Sequence, residues 1–374
     1  MTSQTGVEAR KARENRTVGA AARSSAKILP ANNAAEFAVA VSEAAALLRQ
    51  GELVALPTET VYGLAANALA AEAVNRIYEV KGRPAHNPII VHVAGLEMAR
   101  ACVSEWPPLA EALAREFWPG PLTLVLPRSG LIPDVVTAGG NTVGIRWPSH
   151  PLMQAVIREC GFPLAAPSAN PANRVSPTNA NHVLNSLGDR IGLILDGGQS
   201  QVGIESTVVD LTTSPARILR PGMITECALQ LVIDQANAQA RATGSAEAAV
   251  ANPPRDQAAP AKVLRSPGQL PRHYSPTGKL EMRSWKNEAD LVGQLNRAGI
   301  PTAKVHVIAH SEIPIQGDWG RVSVIPHDAE AFARAIYAEL HQCDAEGAEW
   351  IVVENLPSGT EWQAISDRLR RAAT

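Results

Sequence analysis

Strand-like and helix-like runs alternate from residue 34 to about residue 226, give way to an Ala/Gln/Pro/Gly-rich stretch at 235–262, and resume from 278 onward. That interrupted alternation asks for two α/β units joined by a linker. A chain of 374 residues also exceeds what one hydrophobic core ordinarily serves. In the first unit, strands are expected at 52–56, 88–93, 121–127, 142–147, 163–166, 191–195, 206–211 and 216–219. Helices are expected at 70–80, 95–103, 108–117, 150–160 and 179–187, after a helix over 34–50 capped by Asn33 and ended by Gly51. Loops as short as 212–215 cannot hold a crossover helix, so the sheet should be mixed. The second unit reads strand 279–285, helix 287–298, strands 304–309 and 321–325, helix 328–342, strand 348–353 and helix 360–372, a small open, Rossmann-like α/β fold.

Charge and composition narrow the function. The net charge is -2, and both domain-sized stretches are mildly acidic, which argues against broad nucleic-acid affinity but not against a local basic cleft. The four cysteines, Cys102, Cys160, Cys227 and Cys343, form no Cys-x-x-Cys pair and no zinc pattern, so reduced thiols and a cytoplasmic setting are expected. No run of eighteen apolar residues suggests a membrane span. Residues 1–30 are Arg- and Ser-containing with Glu8 and Glu14 among them, and read as a disordered extension. The chain lacks Gly-x-Gly-x-x-Gly, a P-loop and a Gly-x-Ser-x-Gly elbow, so any nucleotide site must be built in another way.

Two segments carry candidate chemistry. From Lys81 to Val93 a helix end passes into a buried strand, with Pro84 and Pro88 forcing extended backbone on the residues before them. Lys81, Arg83, His86 and Asn87 lie in between, and a point charge beside a guanidinium fork suits phosphate oxygens. From Leu53 to Leu64 a second strand is stopped by Pro57 and runs into Thr58, Glu59, Thr60 and Tyr62. Alternation along 142–146 sets Thr142, Gly144 and Arg146 on one face of a strand, with Gly144 leaving room for a ligand. An arginine on a buried strand needs a partner, which a ligand carboxylate or an internal acid would supply.

Leu56-Pro-Thr-Glu-Thr-Val-Tyr-Gly-Leu64 and Lys81-Gly-Arg-Pro84 closely resemble the YrdC-like L-threonylcarbamoyladenylate synthases. The resemblance continues through Phe117–Thr123, Val143–Pro148, Ala166–Asn170, Ser176–Thr178, Ile194–Gly198, Glu205–Asp210 and Arg220–Gly222. Downstream, Ser266–Gly268 and Arg272–Pro276 are similar to the linker of the long, two-domain members. The resemblance implies a disordered 1–30, a YrdC-like catalytic domain over 31–232 with a twisted mixed sheet, a linker and lid over 233–277, and a C-terminal α/β domain over 278–374.

The implied reaction joins L-threonine, bicarbonate and ATP into threonylcarbamoyl-AMP and pyrophosphate, the product going to a tRNA threonylcarbamoyl transferase. Direct tRNA contact is left open. No enzyme nucleophile is needed, so catalysis would rest on positioning and charge neutralisation. By motif position, Lys81 and Arg83 would be catalytic and hold the triphosphate, with Asn87, Thr142, Ser168, Ser176, Arg220 and Tyr274 on ATP. Thr60, His92, Arg146, Ala166 and Ser206 would line the threonine pocket, and His273 and Tyr274 would form the lid. Mg2+ would accompany ATP, without a protein metal site or organic cofactor. Two other readings compete. One is a nucleotide- or RNA-binding module of the same fold, against which Arg146, Thr60 and His92 speak by suiting a small amino acid. The other is a carbamoyl-adenylate enzyme of metal-site maturation, whose paired-cysteine segments this chain lacks.

Overall fold

The computed structural model describes residues 25–243, 250–251 and 273–373. The expectations for 1–24, 244–249 and 252–272 lie outside the described residues. β1 (Lys27–Pro30) corrects the expected disorder up to residue 30, since parallel pairing with Leu193–Asp196 holds it extended, and it leads into α1 (Ala34–Arg49), β2 (Val54–Leu56) and β3 (Gly63–Asn67). α2 (Ala71–Lys81), β4 (Val91–His92), α3 (Leu96–Ala101), α4 (Pro108–Phe117), β5 (Leu122–Pro127) and β6 (Thr142–Arg146) follow. Next come α5 (Pro151–Cys160), β7 (Leu164–Ala165), α6 (Ala180–Leu187), β8 (Leu193–Asp196), β9 (Thr207–Asp210), β10 (Ala216–Arg220), α7 (Glu226–Thr243) and β11 (Val250–Ala251). The second unit holds β12 (Lys279–Arg283), α8 (Glu288–Arg297), β13 (Val305–Ala309), β14 (Arg321–Val324), α9 (Ala329–Ala345), β15 (Trp350–Glu354) and α10 (Gln363–Ala372).

The first sheet runs β1-β8-β2-β3-β7-β4-β6-β5-β9-β10-β11 and mixes parallel with antiparallel pairs, as the short connections require. The second sheet, β12-β15-β13-β14, is wholly parallel. Asn33 caps α1 as expected, its side chain accepting from the Glu36 N–H at 3.0 Å. β3 escapes the sequence reading because Gly63-Leu-Ala-Ala-Asn67 has weak strand propensity. Pairing with β2 on one side and β7 on the other holds it extended. α7 also corrects an expectation, since it runs through residues 235–243 that read as linker. Ala-rich sequence forms helix even without a strong apolar stripe.

Three strands at the centre of the large sheet set up the cleft. β4 pairs in parallel with β6, placing His92 beside Arg146, and antiparallel with β7, placing His92 beside Leu164. The two units share a core in which Val61, Val175, Ile204 and Tyr274 pack with Phe332, Ile336 and Tyr337 of α9. Gly203, at φ +83, makes this contact possible. A Cβ there would lie 2.4 Å from the Ala333 carbonyl oxygen. No helix of the described residues is long and apolar enough to cross a membrane.

Candidate functional site

A buried cleft opens where the segment after β2, the ends of β4 and β6, the exit of β7 and the exit of β10 converge under His273 and Tyr274. Arg83, Arg146 and Arg220 all line it, with Thr60, His92, Ala166, Ser168 and Ser206 between them. Thus ten of the residues expected at the site meet in one place. Lys81, Asn87, Ser176 and Thr142 are not part of the lining.

Arg146 is 4% exposed and fixed from three directions. Its Nε donates to the Gly120 carbonyl at 3.2 Å and its Nη1 to Thr60 Oγ1 at 2.8 Å. Its Nη2 lies 2.7 Å from Glu59 Oε1. That charge contact is not aligned as a hydrogen bond, so both Glu59 oxygens and Arg146 Nη2 remain without hydrogen-bond partners. Thr60 Oγ1 also meets Thr58 Oγ1 at 2.9 Å, and Thr58 donates to the Val61 carbonyl at 2.6 Å. The turn after β2 is therefore knotted by its own hydroxyls. Beside Arg146, burial and then the guanidinium charge push the His92 imidazole down to about 3, so it is neutral. Its Nδ1 has no partner.

The other cations sit on separate supports. Arg83 is clasped by its own loop: Nε donates to the Asn87 carbonyl at 3.0 Å, and Nη2 to Asn87 Oδ1 at 2.8 Å and the Pro88 carbonyl at 2.6 Å. The turn is opened by Gly82, the left-handed cap of α2 at φ 59. Burial lowers Arg83 to about 10. Asn87 thus acts on Arg83, not on the cleft directly. Lys81 stands behind the wall: its Nζ donates to the Ser168 carbonyl at 2.5 Å and to the Asn170 carbonyl. Burial, then the neighbouring Arg83, pushes its ammonium well below the usual lysine range. Arg220 donates from Nε to the Ser206 carbonyl and from Nη2 to Ser206 Oγ, each at 3.0 Å, and Ser206 Oγ also meets Thr123 Oγ1 at 2.8 Å.

Several functional contacts went unassigned in the sequence. Glu205 lines the cleft, yet its carboxylate accepts from Ser176 Oγ at 2.6 Å, Arg368 Nε at 2.8 Å and Tyr337 Oη at 3.1 Å. Burial alone would raise it, but the Arg368 and Arg220 charges prevail and hold it at about 2. Ser176 therefore serves Glu205. Thr142 begins β6 two pleats from Arg146, away from the lining. Tyr274, at φ 62, is 1% exposed with its hydroxyl unpartnered, and His273 Nδ1 is equally orphaned. Burial lowers the His273 imidazole to about 3. Arg368 had a legible signal: it falls in the stripe Ala364, Ile365, Leu369 and Ala372, the buried face of α10.

Comparison with known proteins places the chain in a family. Residues 46–222 match the Sua5/YciO/YrdC family model, described as Telomere recombination. Residues 224–374 match the model described as Threonylcarbamoyl-AMP synthase, C-terminal domain. The threonylcarbamoyl-AMP synthase of Pyrococcus abyssi is 37% identical over 336 residues, covering 88% of this chain and 93% of the relative. That of Bacillus subtilis is 37% identical over 340 residues, covering 89% and 92%. The crystal structure of P. abyssi Sua5 complexed with L-threonine superposes with a TM-score of 0.78 at 35% identity, over 92% of this chain and 96% of that one. With two matching domain models and relatives aligned over nearly their full length, this chain belongs to the threonylcarbamoyl-AMP synthase family in its two-domain form.

Proposed function

We propose that the cleft condenses L-threonine, bicarbonate and ATP into L-threonylcarbamoyladenylate and pyrophosphate, for transfer onto the tRNA adenosine beside the anticodon. The observation that carries this reading is charge. Three buried guanidiniums, of Arg83, Arg146 and Arg220, line one cleft with Arg368 behind them, against two buried carboxylates, Glu59 beside Arg146 and Glu205 on Arg368. Such a surplus suits an anionic amino acid beside a polyphosphate.

Bicarbonate supplies carbon dioxide with loss of water, and the deprotonated threonine amine adds to its carbon. A carbamate oxygen then attacks the ATP α-phosphorus, and the bond to the bridging oxygen breaks as pyrophosphate leaves. Arg146 holds the threonine carboxylate, flanked by Thr60, neutral His92, Ala166 and Ser206. Arg83, Arg220 and Ser168 take the phosphates, and Lys81 fixes the Ser168 loop from behind. Thr142 would meet the nucleotide only beyond the present lining. With His273 and Tyr274 closed, the free volume is about 50 Å3, against ~300–1,000 Å3 for a usual ligand pocket. The pair must therefore swing away to admit ATP and then close over it to exclude water.

Magnesium ordinarily travels with ATP. Among the described residues no group of three His, Cys, Asp or Glu side chains could hold a metal, so the ion would ride on phosphate and water. A cytoplasmic setting is supported by four free thiols, Cys102, Cys160, Cys227 and Cys343.

The test is pyrophosphate release from ATP with and without L-threonine and bicarbonate, with mass spectrometry of the quenched mixture. Release that needs both, together with a threonylcarbamoyl-adenylate mass, is the expected result. ATP binding without release would favour a nucleotide-binding module.

A further inference from the structure

The C-terminal unit meets the cleft wall through α9 and α10. Arg368, from the middle of α10, is 1% exposed and touches three separate cleft-forming elements. Its Nε donates to Glu205 Oε2 at 2.8 Å, next to Ser206. Its Nη2 donates to the Pro221 carbonyl at 2.9 Å, next to Arg220. Its guanidinium carbon lies 5.3 Å from the centre of the Tyr274 ring. The remaining nitrogen, Nη1, is held by Asp367 Oδ2 at 2.9 Å, which keeps the fork from turning.

Arg368 links the lid to the other two elements, which already hold each other. Ser206 and Arg220 are joined by two hydrogen bonds, but the lid arrives from elsewhere in the chain. Tyr337 of α9 supplements the anchor: its hydroxyl donates to Glu205, and its ring stacks on Tyr274 with centroids 5.9 Å apart. The last turn of α10 adds a main-chain tie, since the Arg371 carbonyl accepts from the His273 N–H at 3.2 Å. Arg146, Thr60 and His92 have no described hydrogen bond or ion pair to α9 or α10, although Val61 beside Thr60 packs on α9. The hydrogen bonds of α9 and α10 to cleft-lining residues therefore gather at Glu205 and His273, on the Arg220 and Tyr274 side.

We propose that Arg368 is a positioning residue of the synthase reaction, through which the C-terminal domain sets Glu205, Arg220 and the closed Tyr274 around ATP, with less effect on Arg146, Thr60 and His92. This rests on the synthase reading above. A lysine keeps the charge but loses the planar fork that spans Glu205, Pro221 and the Tyr274 ring together.

The test is steady-state pyrophosphate release by the full chain carrying Arg368→Lys, with ATP and L-threonine varied separately. The wild-type chain is assayed first, so that absence of synthase activity is seen before any variant is judged. The expected result is a KM for ATP raised about tenfold, the loss of one charge-assisted contact, with the KM for threonine within about twofold. Unchanged ATP kinetics, or both KM values rising together, would overturn the proposal. Thermal melting shows whether the variant folds. If it does not, Tyr337→Phe removes one hydroxyl contact to Glu205 and keeps the ring on Tyr274. It should raise the KM for ATP about threefold, again without moving threonine, and no change there overturns the proposal equally.

Discussion

Arg146 Nη2 and Glu59 Oε1 lie 2.7 Å apart in a site where both side chains are more than nine-tenths buried, and neither carboxylate oxygen of Glu59 has a hydrogen-bond partner. A buried ion pair with so few supporting bonds is a weak source of stability, while removing one member is costly. The pair holds the guanidinium in the cleft wall, where the proposed reading puts the threonine carboxylate. Arg146→Ala should therefore raise the KM for threonine by about a hundredfold or more, as losing a buried charge-assisted pair does. ATP binding, measured by calorimetry, should stay near wild type. Equal loss of both would remove Arg146 from the amino-acid side.

Glu59→Gln tests the other half of the pair. The amide preserves shape but leaves the guanidinium without its counter-charge, at a cost of about 3 kcal/mol. Melting should drop by several degrees. Added L-threonine should recover more of that loss than it adds to the wild-type chain, because its carboxylate supplies the missing charge. Equal threonine-induced shifts in the two proteins would show that the ligand does not meet Arg146.

Lys81→Ala addresses a residue whose ammonium faces main-chain carbonyls. Deleting it frees the Ser168 and Asn170 carbonyls and loosens the loop that carries Ser168 into the cleft. The kcat/KM for ATP should fall about 10–100-fold, in the range for a lost charged hydrogen bond in a closed site. The KM for threonine should move less. Kinetics indistinguishable from wild type would mean that the loop is held without Lys81.

Much of this architecture can be read from one dimension. Arg146 and Arg220 are arginines within short strands, where a charge has little reason to sit unless a ligand or an acid waits for it, and Arg83 follows a helix end in a loop between two prolines and a lysine. What could not be read were relationships between distant segments. Asn87, Ser176 and Lys81 look from sequence like ligand contacts, yet they hold Arg83, Glu205 and the Ser168 loop. Whether a side chain lines a cleft or braces the residue that does depends on a few ångströms of packing, which motif position does not encode. β3 was missed because its strand character comes from its neighbours, and Glu205 because two of its partners, Tyr337 and Arg368, lie more than a hundred residues away in α9 and α10.

Tyr274→Phe separates stability from function. The Tyr274 hydroxyl is buried with no partner in the closed cleft, which costs about 1–3 kcal/mol. Removing it should leave the ligand-free chain as stable or slightly more so. Affinity for ATP should fall about tenfold if that hydroxyl is what meets the nucleotide when the lid closes. A variant that melts earlier than wild type would mean that the hydroxyl is already satisfied in the free protein.

Acid should weaken the fold in a defined window. Burial holds His92 and His273 at about 3, and burial with the stacked His341, 4.0 Å away, holds His182 at about 3 as well. In the unfolded chain each returns to about 6.5. The folded state then binds fewer protons than the unfolded one between those values, so stability is complete above about pH 6.5 and is lost as pH falls towards 3. Each such histidine contributes a slope of about 1.4 kcal/mol per pH unit there. Glu205, held at about 2, adds to the loss below its ordinary value. Melting temperature should thus be flat from pH 7 to 8 and fall progressively below 6.5. His182→Asn, in the contact between α6 and α9, should flatten that fall by removing one of the histidine contributions. An unaltered slope would show that His182 is already protonated in the folded chain, and would refute the neutral stacked pair.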